Sequence, residues 1–479
     1  LLMIELPVAL VILLLNLVSV VLIVQRQRFD WELRLRKRFG VDRHWWVPLI
    51  ALGVAMVFSV VSFSSIQTAF VEKFEIIALI FSFGVMAEGL RASGFFRHLA
   101  YRMVEMGDGS TSRLILYMFA LTSAVTFFTS NDIVVYVLTP IVVSICFQAG
   151  IKNTKLILLS QFIAANTLSM GMLIGSPTNL IIAESVGLDF FSYLFLMVLP
   201  ASIAFLSSFL LLKFTLKFLR WDRFSFLSDL EFQETYSMPE ENPEPVVTEQ
   251  MRDWVLIFGF FVALVAAVTS LNYSLLWCAA PAIAMSLIYW HLSGKHETGV
   301  KRPLQNLPYG VFFFGMTFFI FAEQFSRTGF VNTDLVPFLQ NFFQTNTSGT
   351  ILTGIFGSGL MVNMFLDLPS AAIIGQILPK LELASITDTV LTQASLVGLN
   401  IGTYVTSIGA LAGLIWFEEM RMQRITEEGR DRASGDQMVF PDRIDLLRYG
   451  TLHFIFTGLI AAVFLTVEAG VLEVLASLT

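Results

Sequence analysis

Charged side chains are scarce in this chain of 479 residues, at 14% of the sequence against about 25% in an ordinary soluble domain. Hydrophobic residues reach 56%. The 30 Lys and Arg are outnumbered by 37 Asp and Glu, so no basic surplus exists to bind a nucleic-acid backbone. These proportions argue against a soluble enzyme, exclude nucleic acid as a partner and favour a protein embedded in a lipid bilayer.

Cysteine and histidine are also rare. Cys146 and Cys278 lie in apolar runs, where a thiol behaves as a small hydrophobic group, and the five histidines lack metal-ligand spacing. No glycine-rich loop ends in Gly-Lys-Ser or Gly-Lys-Thr. We therefore predict no disulfide framework, no metal catalysis and no ATPase within the chain, so any energy-driven step would need an ion gradient or a separate ATPase subunit.

Long apolar segments recur along the chain. A bilayer span needs about 20 consecutive, mostly apolar residues in a helix, because hydrocarbon offers no partner to free backbone groups. We predict ten transmembrane helices on this criterion. They lie at 1–24, 46–66, 72–90, 156–183, 190–219, 252–270, 274–292, 308–326, 390–417 and 449–475.

Two further apolar regions, 114–149 and 349–378, are interrupted by polar residues and proline. Asn131 and Asp132 interrupt the first region, and residues 363–369 interrupt the second. We predict that both are re-entrant hairpins, which return to the side from which they entered. The expected fold is an all-α polytopic membrane protein of about ten transmembrane helices.

The distribution of basic residues predicts the orientation. The first span lacks a basic start and a small-residue cleavage site, so we expect a retained helix and not a signal peptide. With the amino terminus outside, 27 of the 30 basic residues fall in segments on the cytoplasmic side. This predicts an integral protein of the cytoplasmic (inner) membrane with both termini outside.

The chain divides near its midpoint. Residues 222–250 are acidic and contain three prolines, which is typical of a solvated linker. We place a first repeat at 1–220, a cytoplasmic acidic linker at 221–251 and a second repeat at 252–479.

Matching landmarks support an internal repeat, and each half holds five crossings. Because five is odd, the second half must enter from the opposite face, as in the inverted repeats of many secondary transporters. Three pairs of landmarks recur at offsets of 232 to 235 residues: Glu88 with Glu323, Asn131 with Asn363, and Asn166 with Asn400.

Four segments place Gly, Pro, Ser, Thr or Asn within the predicted membrane region: 129–140, 169–183, 363–370 and 400–414. A helix that begins again inside the membrane has unpaired N–H groups that can bind an anion or an oxyacid. Exposed carbonyls with Asn, Ser and Thr oxygens suit sodium instead. None of the four segments contains Lys or Arg, which favours a neutral species, a backbone-bound anion or a cation.

Asp132 is the acidic residue that we expect to handle an ion or a proton, because a carboxylate at a hairpin tip inside the membrane is costly. Asp367 is its counterpart in the second hairpin. The alternative for both is a helix cap. Glu88 and Glu323 lie near span ends beside Arg91 and Arg327, so we expect surface ion pairs there.

The Asn131-Asp132 hairpin that runs into Leu138-Thr139-Pro140, with the broken-helix sequences Gly-Ser-Pro-Thr-Asn at 175–179 and Ser-Ile-Gly at 407–409, resembles the ion transporter superfamily. That group includes arsenite efflux permeases, sodium/proton antiporters of the D type and divalent anion/sodium symporters. The hairpin is most similar to the arsenite permease branch. The resemblance implies a transport domain that moves relative to a scaffold, and a scaffold that often forms a homodimer.

The resemblance also implies which residues form the site, to which Asp367 is added from the pattern of this chain. They are Asn131, Asp132, Ser176, Thr178, Asn179, Asn363, Thr406, Ser407 and Gly409. No organic cofactor is expected, and sodium would bind at Asn131, Asn179 and Asn363. Val362-Asn363-Met364 replaces the symporters' Ser-Asn-Thr, which argues against a two-sodium dicarboxylate site.

We therefore predict a secondary active transporter of a small inorganic anion or oxyacid, coupled to protons or sodium and working by alternating access. The alternatives are a sodium-coupled di- or tricarboxylate or sulfate symporter, a sodium/proton antiporter, and a receptor or channel without coupled transport. An enzyme with Asp132 and Asp367 as a catalytic pair is disfavoured, because the repeat should hold the two carboxylates apart on opposed hairpins.

Overall fold

The computed structural model describes residues 11, 46–57, 59, 61–219, 230, 232–237, 247–292, 309–345, 347–407, 409–431 and 438–478. Across these residues the chain is almost entirely helical and has no β-strand. The predicted all-α class is confirmed. The first predicted span lies outside the described residues apart from Val11, as does most of the predicted linker.

The first half contains eight described helices, and two short 3-10 turns separate the sixth from the seventh. The helices are α1 (Trp46–Val57), α2 (Phe63–Ser93), α3 (Phe95–Gly107), α4 (Thr111–Phe128), α5 (Asn131–Gln148), α6 (Lys155–Thr167), α7 (Pro177–Ser185) and α8 (Phe190–Leu219).

The second half contains ten described helices, and short π-helical or 3-10 turns adjoin several of them. They are α9 (Glu249–Ser270), α10 (Leu276–Leu292), α11 (Tyr309–Ser326), α12 (Val336–Thr345), α13 (Thr347–Leu352), α14 (Ser358–Phe365), α15 (Asp367–Ile377), α16 (Ser385–Ile401), α17 (Leu411–Asp431) and α18 (Arg443–Leu478).

Seven helical segments among the described residues are long and apolar enough to cross a bilayer, which confirms a polytopic membrane protein. The number ten and the orientation stay predictions. The seven segments are Phe74–Ser93, Thr111–Phe128, Asn131–Gln148, Phe190–Phe218, Glu249–Ser270, Thr347–Phe365 and Arg443–Leu478.

The helix is interrupted at both predicted positions. In the first half, only Thr129 and Ser130 lie between the helices α4 and α5. Each arm has 18 residues, which is about 27 Å of helix. The sequence had suggested that the whole region has the length of a single span. In the second half the turn is Leu366, whose φ of 71° lies in the left-handed region. The re-entrant path stays a prediction.

The same helix pairs recur in the two halves. The first arm of each hairpin packs on the first part of the broken helix in its own half, α4 on α6 and α14 on α16. The second arm of each hairpin packs on the second part of the broken helix in the other half, α5 on α17 and α15 on α7. The closing helices α8 and α18 pack on each other. The two halves therefore make equivalent helix contacts, as expected for an internal repeat in which each hairpin contacts the broken helices of both halves.

Part of the predicted linker is anchored on the helices, although most of its described residues are exposed. The backbone of Glu234 accepts a hydrogen bond from the Thr111 N–H, and the Tyr236 N–H donates to Gly109. The Tyr236 side chain is buried, with its hydroxyl donating to the Val104 carbonyl. An aromatic side chain with its polar end satisfied is stable in that position, so the linker holds the end of α3.

Close packing of α18 on the second broken helix gives the first testable prediction. The Cα of Gly450 lies against the Tyr404 carbonyl, where a methyl group would overlap it, whereas Gly470 in the same helix has open space around it. Gly450→Ala should lower the free energy of unfolding by about 1–3 kcal/mol through overpacking. Gly470→Ala should be neutral or stabilising by up to about 1 kcal/mol.

Thermal unfolding of the detergent-purified variants would measure the difference. Equal melting temperatures for the two variants would contradict the contact between α18 and the second broken helix.

Candidate functional site

The first broken helix is interrupted by its local sequence. After α6 ends at Thr167, the chain leaves the α conformation until α7 begins at Pro177. Proline is favoured at a first helical position, where its missing N–H is no loss. The Ser176 side chain caps this start by accepting from the Thr178 N–H at 3.4 Å. Gly175 packs so closely on the Ser169 carbonyl that no side chain would fit.

The second broken helix depends on glycine as well. It leaves the α conformation after α16 ends at Ile401, and α17 begins at Leu411. Gly402 packs on the backbone of Gly359 in the second hairpin. A Cβ on Gly409 would lie 3.0 Å from the Asn363 Oδ1. The backbone of the hairpin and that of the break therefore approach each other directly.

Asn179 gives two carbonyls of the first break a hydrogen bond in addition to the backbone bond that each accepts. Its Nδ2 donates to the carbonyls of Ser169 at 2.9 Å and Met172 at 3.0 Å. Its Oδ1 accepts from the Nδ2 of Asn400 at 3.0 Å, so a hydrogen bond joins the broken helices of the two halves. Both side chains are buried, and a buried amide without partners would cost about 1–3 kcal/mol.

Asn131 and Asn363 form similar bonds at the hairpins. The Nδ2 of Asn131 donates to the Oδ1 of Asn166 at 2.9 Å, and its own Oδ1 accepts from the Asp132 N–H. The Nδ2 of Asn363 donates to the carbonyl of Gly402 at 2.7 Å. Its Oδ1 accepts from the Thr406 hydroxyl at 2.7 Å.

The three amides expected to bind sodium thus belong to separate hydrogen-bonded groups. Each amide oxygen of Asn131, Asn179 and Asn363 already accepts one hydrogen bond, which leaves its second lone pair for a cation. Within the described residues, no three His, Cys, Asp or Glu side chains are grouped so that they could hold a metal ion. Sodium binding at these amides stays a prediction.

Two carboxylates from different hairpins meet at the start of α17. The Oδ1 of Asp367 accepts from the N–H groups of Leu368 at 2.8 Å and Leu411 at 3.3 Å. Asp132 faces the N–H of Ala412 and lies close enough to Asp367 for the two charges to repel. The Oδ1 of Asp132 is buried and has no hydrogen-bond partner among the described residues.

Our expectation that Asp132 and Asp367 would be held apart is wrong. They meet because α5 packs along α17 and thereby brings the first hairpin to a helix start that the second hairpin already touches. Unpaired N–H groups and the helix dipole stabilise negative charge at such a position. The described structure nevertheless contains no basic side chain paired with either carboxylate.

The capping alternative applies to the two residues differently. The Asp132 carboxylate faces α17 and not the start of its own helix, whose N-cap Ser130 makes no side-chain bond. Asp367 does bond the Leu368 N–H in its own helix. Asp367 therefore has a structural role in addition to its place beside Asp132.

The remaining predicted residues line the breaks. The hydroxyls of Ser176 and Thr178 are 2.9 Å apart at the start of α7 and are buried. Ser407 is buried too, with its carbonyl against Gly413 in α17. Thr406 bonds Asn363 as described. The Ser176 pair thus lies at the α7 start, whereas the two carboxylates lie at the α17 start.

Several polar residues of this region were not predicted as site residues. Asn166 and Asn400 make the bonds described above, and the hydroxyls of Thr167 and Tyr404 are 2.5 Å apart. The repeat had marked Asn166 and Asn400 as landmarks, so a buried amide at matching places in both halves was the available signal. No sequence signal indicated the partnership of Thr167 with Tyr404.

The predicted ion pairs near the span ends are present, but their carboxylates are buried. Arg91 contacts Glu88 and Arg327 contacts Glu323, each at 2.6 Å. Glu88 is 6% exposed and Glu323 is 8% exposed. The Glu323 carboxylate also accepts from Gln376 of the second hairpin at 3.1 Å. Buried carboxylates need such partners.

The bond between the halves gives a second testable prediction. Asn179→Ala should destabilise the protein by about 1–3 kcal/mol, because the Ser169 and Met172 carbonyls each lose one donor and the Asn400 amide loses an acceptor. In a double-mutant cycle with Asn400→Ala, the coupling energy should be about 0.5–3 kcal/mol, measured by thermal unfolding in detergent.

The control pairs Asn179→Ala with Ser477→Ala, an exposed hydroxyl near the end of α18, and these effects should add. Additive effects for Asn179 and Asn400 would rule out the direct bond.

Comparison with known proteins identifies the family. The family model described as "Citrate transporter" matches residues 42–398. A Bacillus subtilis relative, provisionally named as an arsenical pump membrane protein, is 25% identical over 70% of this chain and 78% of its own. An arsenical pump membrane protein of Escherichia coli is 21% identical over 80% of this chain and 86% of its own. The matched residues cover both hairpins and the first broken helix, so the chain belongs to the citrate transporter family of membrane transporters.

Proposed function

We propose that the protein is a secondary active transporter of a small oxyacid or inorganic anion, with arsenite as the representative cargo. A gradient of protons or sodium drives it, and the hairpins and broken helices alternate in access to the two sides of the inner membrane. The observation that carries this proposal is the meeting of Asp132 and Asp367 at the start of α17. Family membership supports membrane transport.

The two carboxylates account for ion coupling. Moving two buried negative charges together through a lipid bilayer is costly, and their mutual repulsion adds to that cost. Binding of a proton or a sodium ion removes one charge and the repulsion with it. Movement of the site is then favoured when the ion is loaded, and this requirement is what couples cargo to the gradient.

The absence of Lys and Arg from the four interrupted segments limits the charge of the cargo that can bind there. A tricarboxylate would bring up to three negative charges to a place that already holds two carboxylates and has no Lys or Arg in the four interrupted segments. Arsenious acid is uncharged at neutral pH and has hydroxyl groups that can donate to carboxylate and amide oxygens. The names of the relatives from Bacillus subtilis and Escherichia coli point to the same class.

A second candidate is a sodium-coupled symporter of di- or tricarboxylates or sulfate, and the description of the matching family model favours it. A sodium/proton antiporter would use the same pair of carboxylates without an anionic cargo. In either case Asp132 and Asp367 would bind the cation. A homodimeric scaffold and a separate ATPase subunit stay expectations from the sequence.

Neutralising one carboxylate tests the coupling. Asp132→Asn should abolish arsenite accumulation driven by an imposed pH or sodium gradient, because the amide cannot bind a proton or a cation as the carboxylate does. Exchange of arsenite between equal concentrations should persist. Proteoliposome flux assays measure both quantities.

Asp334→Asn, an exposed acid next to α12, is the matched control and should behave like the wild type. Unchanged gradient-driven accumulation in Asp132→Asn would return that residue to a structural role.

The cargo can be identified by ligand-induced stabilisation. A ligand at about 100 times its Kd raises the free energy of unfolding by about 2.7 kcal/mol. Arsenite should therefore raise the melting temperature of the purified protein, and citrate and sulfate should have little effect with or without sodium. A sodium-dependent shift with citrate and none with arsenite would favour the symporter instead.

A further inference from the structure

Helix α18 carries a row of polar residues on one buried face. Asp445, Tyr449, His453 and Thr457 follow one another at intervals of four residues, and each is buried. Residues four apart lie above one another on a helix, so the row is continuous. Twelve residues of helix extend about 18 Å. Such a row is unusual in a helix whose opposite face is lined by exposed apolar side chains.

One end of the row is an ion pair near the surface. The Nζ of Lys155, at the start of α6, is 2.9 Å from the Oδ2 of Asp445, and their side chains are 15% and 6% exposed. Both residues border the segments that the basic-residue distribution places on the cytoplasmic side. This end can therefore exchange protons with the cytoplasm if the predicted orientation holds.

The middle of the row has polar atoms without partners. The rings of Tyr449 and His453 are 4.6 Å apart between centroids, and His453 is fully buried. Among the described residues, neither ring nitrogen of His453 has a hydrogen-bond partner. The hydroxyl of Ser160 on α6 faces that of Tyr449, and the two hydroxyls have no other partner in the described part of the chain. Buried polar groups in such number are normally satisfied by internal water.

The other end of the row reaches the two breaks. The hydroxyl of Thr457 is 2.9 Å from that of Ser208 on α8. Ser208 faces the hydroxyl of Tyr404, which is 2.5 Å from that of Thr167. Tyr404 ends the 3-10 turn of the second broken helix, and Thr167 ends α6.

Thr167 adjoins the hydrogen-bonded amides of the site. The neighbouring residue, Asn166, bonds Asn131, which precedes Asp132. Five side chains therefore separate Thr457 from Asp132: Ser208, Tyr404, Thr167, Asn166 and Asn131.

We propose that the row Asp445–Tyr449–His453–Thr457 contains water and conducts protons between the Lys155–Asp445 pair and the interrupted segments, with His453 as its protonatable midpoint. The destination of the protons, Asp132, rests on the proposed transport function. The hydration of the row does not rest on that function. The titratable groups that face the row are Lys155, Asp445, Tyr449 and Tyr404.

The proton step at His453 needs no other reactant. A hydronium ion on the Asp445 side gives a proton to the free ring nitrogen and becomes water, so the imidazole becomes imidazolium. The opposite ring nitrogen then releases its proton to water on the Thr457 side, and the ring is neutral again. One proton has moved, and rotation of the ring returns the N–H to the Thr457 side and restores the starting form.

Thiol labelling tests the hydration independently of transport. In a Cys146→Ala, Cys278→Ala background, His453→Cys should react with 2-aminoethyl methanethiosulfonate added to proteoliposomes, because that reagent attacks thiolates in contact with water. The control Ile455→Cys lies in the same helix at nearly the same depth on the exposed apolar face, and it should not react. Equal resistance of the two variants would overturn the hydrated row.

Proton movement tests conduction. With a pH-sensitive dye inside the vesicles, wild-type protein should carry protons together with arsenite. His453→Gln should lose this proton movement while arsenite exchange between equal concentrations persists, and Tyr449→Phe should reduce it. His291→Gln, at an exposed position at the end of α10, should match the wild type.

Chemical rescue separates conduction from a packing role. In His453→Ala, added imidazole should restore proton movement, which a purely structural histidine would not allow. If His453→Cys is labelled but His453→Gln moves protons as the wild type does, the proton relay is overturned. If the wild type moves no protons but accumulates arsenite on a sodium gradient, the relay fails and the transporter proposal stands.

Discussion

The structure depends on one requirement, that backbone N–H and C=O groups inside a lipid bilayer find partners within the protein. Unbroken helices meet it by themselves, but each break opens several carbonyls and amides. Asn179 donates to two carbonyls of the first break. Asn363 donates to the carbonyl of Gly359 in its own hairpin and to that of Gly402 in the second break. The asparagines therefore serve first to satisfy irregular backbone inside the bilayer, and the proposed cargo site uses the same groups.

Much of the architecture follows from the sequence because its causes are local. Apolar runs of span length, glycine at Gly175 and Gly409, and Pro177 at a helix start all act within a few residues, and the breaks occur where these residues predict. The helices of the two hairpin regions are likewise interrupted where the sequence predicts. The length of the first hairpin's arms was missed, since only Thr129 and Ser130 leave the helix and a two-residue turn is too short to recognise by composition.

The partnerships across the site could not be predicted, because they depend on which helices pack together. The residues of the carboxylate pair were identified, yet their closeness arises only from the packing of α5 along α17. The buried face of α18 was missed for the same reason. In the sequence, Tyr449, His453 and Thr457 lie among many apolar residues. No feature nearby in the sequence distinguishes a buried row of polar residues from polar residues scattered around the helix. Asn166 and Asn400 show the converse, since the repeat singled them out before their bonds were known.

At the start of α17 the groups that face the carboxylates are the peptide N–H donors of Leu411 and Ala412. Every residue except proline carries that donor, so exchanging side chains there leaves it in place. Shifting the break by one residue instead turns the donors by about 100° around the helix axis. Distant relatives can thus lose most of their sequence identity and keep the same donors, and altered cargo preference would arise through insertions or deletions within 402–410 more readily than through point substitutions.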